Sequence, residues 1–308
     1  RPDIVHVHNT FPLISPGIYW AAAAQGVPVV QTLHNFRLLC PQAMFLRAGK
    51  VCEDCLGRLP LAGLVHGCYR DSRVQTATLG AMLAVHRGLG TFRRKVSRYI
   101  ALNEFCRRKF VAGGLPAERI AVKPNFVDFP APPAGGRAGF LFVGRLSREK
   151  GIATLAEALA AVPAARLGVA GGGPEAALLA DRPRIDLLGA LPEEAVRQAM
   201  GRALALVLPS IWYENMPRTL VEAFACGLPV LASRLGAMAD LVTDGVTGLL
   251  FAPGDAADLA AKLQWALAHP DEMARMGGNA RREYEASYTG ERNHALLMNI
   301  YQEAIDAP

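Results

Sequence analysis

A regular alternation of short apolar segments with longer amphipathic ones runs through residues 140–251 and limits the possible folds most strongly. The segments 140–143, 166–170 and 203–208 have the length of strands, and each is followed by a stretch of helical character. Consecutive parallel strands need crossover connections of this kind. The sequence therefore predicts an α/β fold in which helices cover both faces of a parallel sheet.

The same alternation places the remaining elements of the second half. Helices are expected at 151–161, 174–180, 192–200, 217–226, 256–268 and 271–286, and further strands at 185–188, 229–233 and within 245–251. The first half has expected strands near 3–8, 28–33 and 98–102, and a long excursion at 40–75 interrupts its pattern. Ligands of such sheets bind beyond the carboxyl ends of the strands.

A proline- and glycine-rich segment at 129–138 separates the two halves and is the expected domain boundary. We expect one domain over residues 1–135, a second over 136–290, and a C-terminal helix within 291–308 that packs back on the first domain. The 308 residues are enough for two domains. Because the chain lacks an initiating Met and enters a strand immediately after Arg1-Pro2-Asp3, we expect it to begin inside the first domain.

Composition narrows the class of protein. Hydrophobic residues make up 51% of the chain and charged residues 19%, and no apolar run approaches the length of a membrane-spanning helix. The net charge is +6, with basic clusters at 93–95 and 107–109. They fit a solvated helix face or a surface for anionic lipid or an acidic acceptor. No recognition motif accompanies the charge, which disfavours nucleic acid as a partner.

Glu214 and Glu222 flank the expected start of a helix near Pro217. Proline suits the first helical position, and the backbone N–H groups near Asn215 and Met216 would then face a ligand. Eight residues at helical rise span roughly 12 Å. The two carboxylates can therefore reach two distant hydroxyl-bearing parts of one ligand.

Two cations and a glycine-rich turn follow the first two strands of the second half. Arg145 and Lys150 lie in a loop before a helix, a position suited to holding a diphosphate, although basic residues in a solvent loop are also common. The turn at 171–175 fits G-x-G-x-x-A through Gly171, Gly173 and Ala176. No acidic residue ends a strand about twenty residues later, so a close backbone approach to a nucleotide is the better interpretation.

Three histidines of the first half lie on or just after expected strands. His34 follows the strand at 28–33, which favours a role in a site. His6 and His8 point to the same face of their strand. For these two we expect core or hydrogen-bonding roles rather than metal ligation.

Four cysteines, Cys40, Cys52, Cys55 and Cys68, lie within the excursion and include one C-x-x-C. Four thiolates are enough for a tetrahedral zinc site. Reduced cysteines without metal are an equally open interpretation, and disulfides are disfavoured in a cytosolic protein.

These segments together resemble glycosyltransferase family 4 over nearly the whole chain. The segments of the first half that show this resemblance are residues 2–9 and 32–36. Those of the second half are FVGRLSREKG at 142–151, GGGP at 171–174, the Glu214–Glu222 pair, CGLPV at 226–230 and DGVTGLLF at 244–251. The resemblance implies the GT-B fold, in which two Rossmann-like domains face each other across a cleft. The family's N-terminal glycine-rich loop has no counterpart, so the first domain is expected to be incomplete and the chain N-terminally truncated.

The resemblance also implies roles for individual residues. Arg145 and Lys150 would hold the donor diphosphate, Glu222 the ribose, and Glu214 the transferred sugar, with His34 approaching from the acceptor-side domain. The residues that the resemblance places in catalysis are His34, Arg145, Lys150 and Glu214. Those that it places against the nucleotide sugar are Gly144, Arg145, Lys150, Gly172, Gly173, Leu188, Glu214, Asn215, Met216, Pro217, Leu220 and Glu222.

The implied activity is retaining transfer of a sugar from a UDP- or GDP-type donor to a glycan or lipid-linked acceptor, in bacterial cell-surface polysaccharide synthesis. No cofactor is expected for catalysis, and a structural zinc on the four cysteines stays open. We expect a cytoplasmic location, with peripheral contact at the inner face of the cell membrane as an option.

Three rival interpretations differ in class. A glycosidase would use Glu214 and Glu222 as acid and base, but this leaves Arg145 and Lys150 without a role. A NAD-dependent dehydrogenase would use the Gly171 turn, but the acidic partner is missing. A non-catalytic nucleotide-sugar-binding protein would keep the same binding residues.

Overall fold

A computed structural model describes residues 1–11, 14–130 and 135–306 of the chain. The chain forms two compact units, one of Arg1–Pro124 with the residues from Glu291 onward and one of Asn125–Gly290. The change of unit lies between Pro124 and Asn125, ahead of the proline- and glycine-rich segment that the sequence analysis takes as the boundary. Of that segment, residues 131–134 lie outside the described residues.

The first unit contains a four-stranded parallel sheet in the order β1–β2–β5–β6. Its elements are β1 (Val5–Val7), α1 (Gly17–Ala24), β2 (Val29–Thr32), β3 (Leu46–Arg47), β4 (Lys50–Val51), α2 (Leu61–His66), α3 (Arg73–Gly88), α4 (Thr91–Arg94), β5 (Arg98–Ala101), α5 (Glu104–Ala112) and β6 (Ile120–Val122). Side-chain caps fix the starts of two helices, because the side chains of Ser72 and Asn103 accept the N–H groups of Gln75 and Cys106.

The excursion at 40–75 has little regular structure beyond the two-residue strands β3 and β4, the helix α2 and the start of α3. Five of the six non-glycine residues with positive φ in the described part of the chain lie here: Ala43, Phe45, Ala48, Arg70 and Asp71. Residues with a Cβ rarely adopt such backbone conformations, which belong to neither helices nor strands. This agrees with the absence of helical or strand periodicity from this part of the sequence.

The second unit contains a six-stranded parallel sheet in the order β12–β11–β10–β7–β8–β9. Its elements are β7 (Phe140–Val143), α6 (Ile152–Ala161), β8 (Leu167–Ala170), β9 (Ile185–Gly189), α7 (Glu193–Arg202), β10 (Ala205–Leu208), α8 (Arg218–Ala225), β11 (Val230–Ser233), α9 (Ala237–Leu241), β12 (Gly248–Phe251), α10 (Ala256–Ala268) and α11 (Pro270–Ser287). The strands β10, β11 and β12 are buried along their whole length, as expected for a sheet covered on both faces.

The expected helix at 174–180 is wrong, because the structure has only a short 3-10 turn at Ala176–Leu178. The Glu175 N–H donates to the Leu146 carbonyl 3.0 Å away and ties the segment to the neighbouring loop. The N–H groups of Leu178 and Leu179 donate to the carbonyls three residues back, those of Glu175 and Ala176, which is the 3-10 rather than the α-helical pattern. The other expected helices of this half are present, with ends that differ by at most two residues.

The last helix, α12 (Gly290–Asp306), belongs to the first unit from Glu291 onward. Ile300 and Ala304 pack in one apolar cluster with Val30 of β2 and Ile100 of β5. The Asn293 side chain also donates to the Pro124 carbonyl at 2.6 Å. No helix in the described part of the chain is long and apolar enough to cross a membrane.

Candidate functional site

Three loops meet at the carboxyl ends of β7, β8 and β10 in the second unit. A Cβ on Gly171 would lie 1.9 Å from the Gly144 carbonyl oxygen, and one on Gly151 would lie 1.9 Å from that of Pro209. Both glycines have positive φ, 139° and 71°. Only glycine allows this backbone-to-backbone packing. The glycines therefore bring the loop after β7 against the loops that carry the other candidate residues.

Arg145 is held at the surface of this site by a buried carboxylate. Its Nη2 donates to Glu149 Oε1 at 2.5 Å, and the Ser147 hydroxyl donates to the same oxygen at 2.7 Å. The Glu149 side chain is 11% exposed and that of Arg145 is 68% exposed. Hydrogen bonds from Ser147 and Arg145 hold the pKa of Glu149 below its usual value although burial alone would raise it. The guanidinium thus stays anchored at one nitrogen while the rest faces solvent.

Lys150 and Glu214 form the central ion pair of the site. The Lys150 ammonium donates to Glu214 Oε1 at 2.6 Å. The Ser210 hydroxyl and the Trp212 indole N–H donate to the same oxygen, at 2.7 and 2.9 Å. Glu214 is only 6% exposed, so its charge is stabilised by these three donors rather than by water. They fix the carboxylate in one orientation.

Glu222 lies one turn into α8, whose first residue is Arg218. The Arg218 Nε and Glu222 Oε1 are 2.9 Å apart, and a second Arg218 nitrogen lies 2.8 Å from Glu193 Oε2. Burial raises the pKa of Glu222, although Arg218 opposes the shift. Among the described residues, no hydrogen bond joins Glu222 to Glu214, so the two carboxylates have separate partners.

The other residues expected to bind the donor differ in location and in exposure to solvent. Gly144, Gly172 and Gly173 lie in the meeting loops, where the Leu146 N–H donates to the Gly172 carbonyl at 2.9 Å. Leu188 of β9 is 42% exposed. The segment Asn215, Met216 and Pro217 leads into α8, but Met216 and Leu220 are buried. Contact between these residues and a ligand stays a prediction.

The first unit has a stack of three histidines at the ends of β1 and β2. His8 Nδ1 and His34 Nε2 are 2.7 Å apart, and the rings of His6 and His8 stack with centroids 4.4 Å apart. His6 hydrogen-bonds to the Tyr301 hydroxyl at 2.7 Å and to the Thr32 hydroxyl at 2.8 Å. The expected hydrogen-bonding roles of His6 and His8 are confirmed.

Burial and neighbouring charges lower the pKa of two histidines of this stack, His6 and His34. Burial, followed by the charges of His8, Lys123 and His34, lowers the pKa of His6 to about 4. The pKa of His34 is lowered by burial and then by His8 and Lys123.

Next to the stack lies a cavity of about 150 Å³, lined among others by His8, His34, Asn9, Gln31 and Asn35. The Gln31 side-chain oxygen is buried without a hydrogen-bond partner in the described structure.

The four cysteines of the excursion lie within electrostatic reach of one another. Burial raises the pKa of the Cys68 thiol, and the nearby Cys40, Cys55 and Cys52 add to the shift. All six cysteines of the chain fall in its described part and are free thiols. Across residues 1–11, 14–130 and 135–306, no group of three or more His, Cys, Asp or Glu side chains is arranged to hold a metal ion. A zinc site on these cysteines stays a prediction.

Comparison with known families matches two family models to residues 1–283 of the chain. The family model described as "Glycosyl transferases group 1" matches residues 127–283, and the one described as "Glycosyltransferase Family 4" matches residues 1–129. The chain belongs to the group 1 glycosyl transferases. This confirms the resemblance to family 4.

Individual relatives of this group 1 glycosyl transferase cover parts of it. A glycogen synthase of Mycobacterium tuberculosis is 32% identical over 56% of this chain and 44% of its own length. A 2-deoxystreptamine N-acetyl-D-glucosaminyltransferase of Streptomyces fradiae is 31% identical over 84% of this chain and 61% of its own length. The chain therefore spans less than two thirds of the length of these two curated relatives.

The solved structures confirm the GT-B fold of this group 1 glycosyl transferase. Anabaena HepE in complex with UDP has a TM-score of 0.72 and 20% identity, and the match covers 97% of this chain and 79% of HepE. HepE has also been crystallised with UDP-glucose.

Sequence reasoning missed four residues that shape the site in the second unit. Ser147 and Glu149 anchor Arg145, and Ser210 and Trp212 donate to Glu214. The sequence does contain a signal for Glu149. It lies four positions after Arg145, a spacing at which an acidic and a basic side chain can pair. Ser210 and Trp212 carry no such signal, because a strand end and a tight loop bring them to the carboxylate.

Proposed function

We propose that this chain is a retaining glycosyltransferase that moves a sugar from a UDP- or GDP-type nucleotide sugar to a glycan or lipid-linked acceptor. The proposal rests on one observation: Arg145, Lys150 and Glu214 all lie in the loops that meet at the carboxyl ends of β7 and β10. Two cations beside an oriented carboxylate match a ligand that carries a diphosphate next to a sugar.

The donor diphosphate would lie against Arg145 and Lys150. The hydrogen bond from Lys150 to Glu214 uses one of the three ammonium hydrogens, and the bond from Arg145 to Glu149 uses one of five guanidinium N–H groups. The remaining donors can bind phosphate oxygens. Both groups are held in place before the ligand arrives, which lowers the cost of ordering them.

Glu214 would accept a hydrogen bond from a hydroxyl of the transferred sugar. The three donors from protein groups all reach Oε1. A carboxylate has about four lone-pair positions, so Oε2 retains acceptor capacity for a ligand. Glu222, with its pKa raised by burial, would serve the ribose.

In the proposed reaction, the bond between the anomeric carbon and the phosphate oxygen breaks on the face where the acceptor oxygen then bonds. The acceptor hydroxyl proton passes to the departing phosphate oxygen, so the configuration at the anomeric carbon is retained. Negative charge grows on the leaving diphosphate, and Arg145 and Lys150 stabilise it. We propose that these two cations make a catalytic metal unnecessary.

The histidine stack and its cavity support a role in acceptor binding for the first unit. His34, with the neighbouring Asn9 and Asn35, offers polar groups to a hydroxyl-rich acceptor. A lowered pKa keeps His34 neutral near pH 7, and a neutral imidazole can both donate and accept hydrogen bonds. We place the activity in bacterial cell-surface polysaccharide synthesis, in the cytoplasm.

Thermal unfolding of the full chain with UDP-glucose, GDP-mannose and NAD tests the donor class. A nucleotide sugar at 100 times its Kd should stabilise the fold by about 2.7 kcal/mol, which raises the Tm by several degrees. Arg145→Ala should abolish the shift. Arg148→Ala, an exposed arginine of the same loop, is the matched control and should keep it. Stabilisation by NAD and by no nucleotide sugar would contradict the proposal.

Turnover separates an enzyme from a binding protein. Release of UDP or GDP in the presence of the stabilising donor is expected, and NMR of the product should show the anomeric configuration of the donor. Binding without any hydrolysis or transfer, across a panel of acceptors, would instead favour a non-catalytic nucleotide-sugar-binding protein.

A further inference from the structure

The net positive charge of the chain is concentrated in one segment of the first unit. The whole chain has 33 Lys and Arg against 27 Asp and Glu. Residues 56–98 contain eight of the former and one of the latter, which leaves 25 against 26 elsewhere. The segment thus carries +7, and the rest of the chain carries −1. The proposed sugar donor does not account for this charge, because its cations, Arg145 and Lys150, lie in the second unit.

Five arginines of this segment are exposed, and none of them forms an ion pair within the described residues. They are Arg58, Arg70, Arg73, Arg93 and Arg94. By contrast, Arg98 of the same segment pairs with Glu303, with 3.2 Å between Nε and Oε2. The charge of the five is therefore available to an external anionic partner.

The same segment exposes large apolar side chains. Six of them are more than half exposed: Leu59, Leu61, Val65, Val74, Val85 and Leu89. A patch of this kind, bordered by charge, is typical of an interaction surface.

Helix α3 has an unusual outer face. The buried face carries Leu79 and Leu83. The exposed positions Val74, Thr78, Ala81 and Val85 follow at helical spacing, and no charged residue lies between Arg73 and Arg87. A solvated helix normally carries charge on its outer face. This face instead combines uncharged side chains with basic residues at its two ends.

We infer that the outward side chains of α2, α3, α4 and the loop residues beside these helices bind the surface of an anionic phospholipid bilayer. We call this set of five arginines and six apolar residues the α2–α4 surface. Arginines near such a surface are attracted by the negative potential, and the apolar side chains enter the boundary between headgroups and acyl chains. The combination matches an interface that is both anionic and apolar.

Charge selects this partner over a second copy of the chain. Two copies joined through the α2–α4 surface would bring two strongly positive surfaces together, which disfavours association. An acidic protein would match the arginines, but the exposed valines and leucines favour a partner with an apolar layer. The inference extends the proposed function, because the enzyme would meet a lipid-linked acceptor at that bilayer. Only this link to the acceptor rests on the proposed function.

The test is sedimentation of the full chain with vesicles of phosphatidylcholine alone and of phosphatidylcholine with 30% phosphatidylglycerol. We expect at least tenfold tighter binding to the anionic vesicles, and weaker binding as salt is raised. Arg73→Gln with Arg93→Gln and Arg94→Gln should lower the affinity by about 10- to 100-fold. Val74→Ser with Val85→Ser should weaken binding to anionic vesicles at high salt as well, because the apolar contribution is not screened.

The matched control replaces three exposed arginines outside the segment, Arg166, Arg184 and Arg202, with glutamine. It has the same change in net charge and should bind as the wild type does. Equal binding to both kinds of vesicle, or an equal loss in the control, would overturn the inference. A dimer in light scattering that Val74→Ser with Val85→Ser dissociates would also overturn it, in favour of a second copy.

The donor-induced rise in Tm distinguishes this inference from the proposed function. All surface variants should keep that rise, because the proposed donor residues lie in the second unit. If the chain binds anionic vesicles but no nucleotide sugar raises its Tm, the membrane inference is supported and only the proposed function is contradicted.

Discussion

The Lys150 ammonium donates to Glu214 Oε1 across 2.6 Å, although the two residues are 64 positions apart in the chain. The pair joins the loop after β7 to the loop after β10. Ser210 and Trp212 complete the set of donors around the carboxylate. The pair therefore contributes both to the cohesion of the second unit and to the proposed donor site.

Removal of Lys150 should destabilise the second unit. Lys150→Met leaves the buried Glu214 with two donors instead of three, and we expect a loss of about 2 kcal/mol in the free energy of unfolding. Glu214→Gln should cost less, because the amide oxygen still accepts from Ser210 and Trp212. The double variant should be more stable than Lys150→Met alone, by about 1 kcal/mol in a urea-unfolding cycle. Additive effects would show that the pair is not coupled.

Glu214→Gln should also slow the proposed transfer. Loss of a charged acceptor for a sugar hydroxyl should lower kcat/KM for the donor by about 10- to 150-fold. Steady-state release of the nucleoside diphosphate measures this. Glu157→Gln, at an exposed position of α6, is the control with the same chemical change and should leave kcat/KM unaltered.

Two adjacent glycines should respond differently to the same substitution. At Gly171 a Cβ would lie 1.9 Å from the Gly144 carbonyl oxygen, and the residue has a φ of 139°. Gly171→Ala should therefore lower the free energy of unfolding by about 3 kcal/mol or more. At Gly172 no atom lies within 4 Å of the added Cβ. Gly172→Ala should change stability by less than about 0.5 kcal/mol in thermal or urea unfolding. Equal losses at both positions would contradict the close packing of these loops.

The histidine stack predicts a loss of stability in acid. Because the folded pKa of His6 is about 4, below its ordinary value of 6.5, the unfolded chain takes up a proton there first as the pH falls. Stability is then full above about pH 6.5 and decreases toward pH 4, by about 1 to 2 kcal/mol after allowance for solvent around a half-buried ring. Thermal unfolding between pH 7.5 and 4.5 measures this decrease.

His6→Gln should flatten that pH dependence, since the amide does not titrate. His294→Gln, at an exposed position of α12, is the control and should leave the pH dependence as in the wild type. A steep decrease that survives His6→Gln would assign the effect to other groups.

Metal analysis separates the two interpretations left open for the four cysteines, a structural zinc ion and reduced thiols without metal. A closed site with four thiolate ligands should retain its metal through purification without added zinc. Close to one zinc per chain, with a lower Tm after treatment with a chelator, would establish the zinc site. A content below about 0.2 zinc per chain would leave Cys40, Cys52, Cys55 and Cys68 as reduced thiols without metal.

The sequence by itself determined the α/β class and the alternation of strands and helices in the second half, and it indicated the principal candidate site residues. The reason is local: buried parallel strands read as short apolar runs, and helices between them read as amphipathic stretches. Arg145, Lys150 and Glu214 were visible because each follows a strand, and the ends of parallel strands lie at one edge of a sheet.

Only the tertiary structure decided the partners of those residues. The pairing of Lys150 with Glu214, the hydrogen bond from Ser210 to Glu214 and the hydrogen bond between His8 and His34 depend on distances between groups that periodicity does not encode. In place of the expected helix at 174–180 the structure has a short 3-10 turn, and the Glu175 N–H before it donates to the Leu146 carbonyl of a neighbouring loop. Strand and helix patterns arise within a few residues of chain, whereas these contacts arise only when the loops pack.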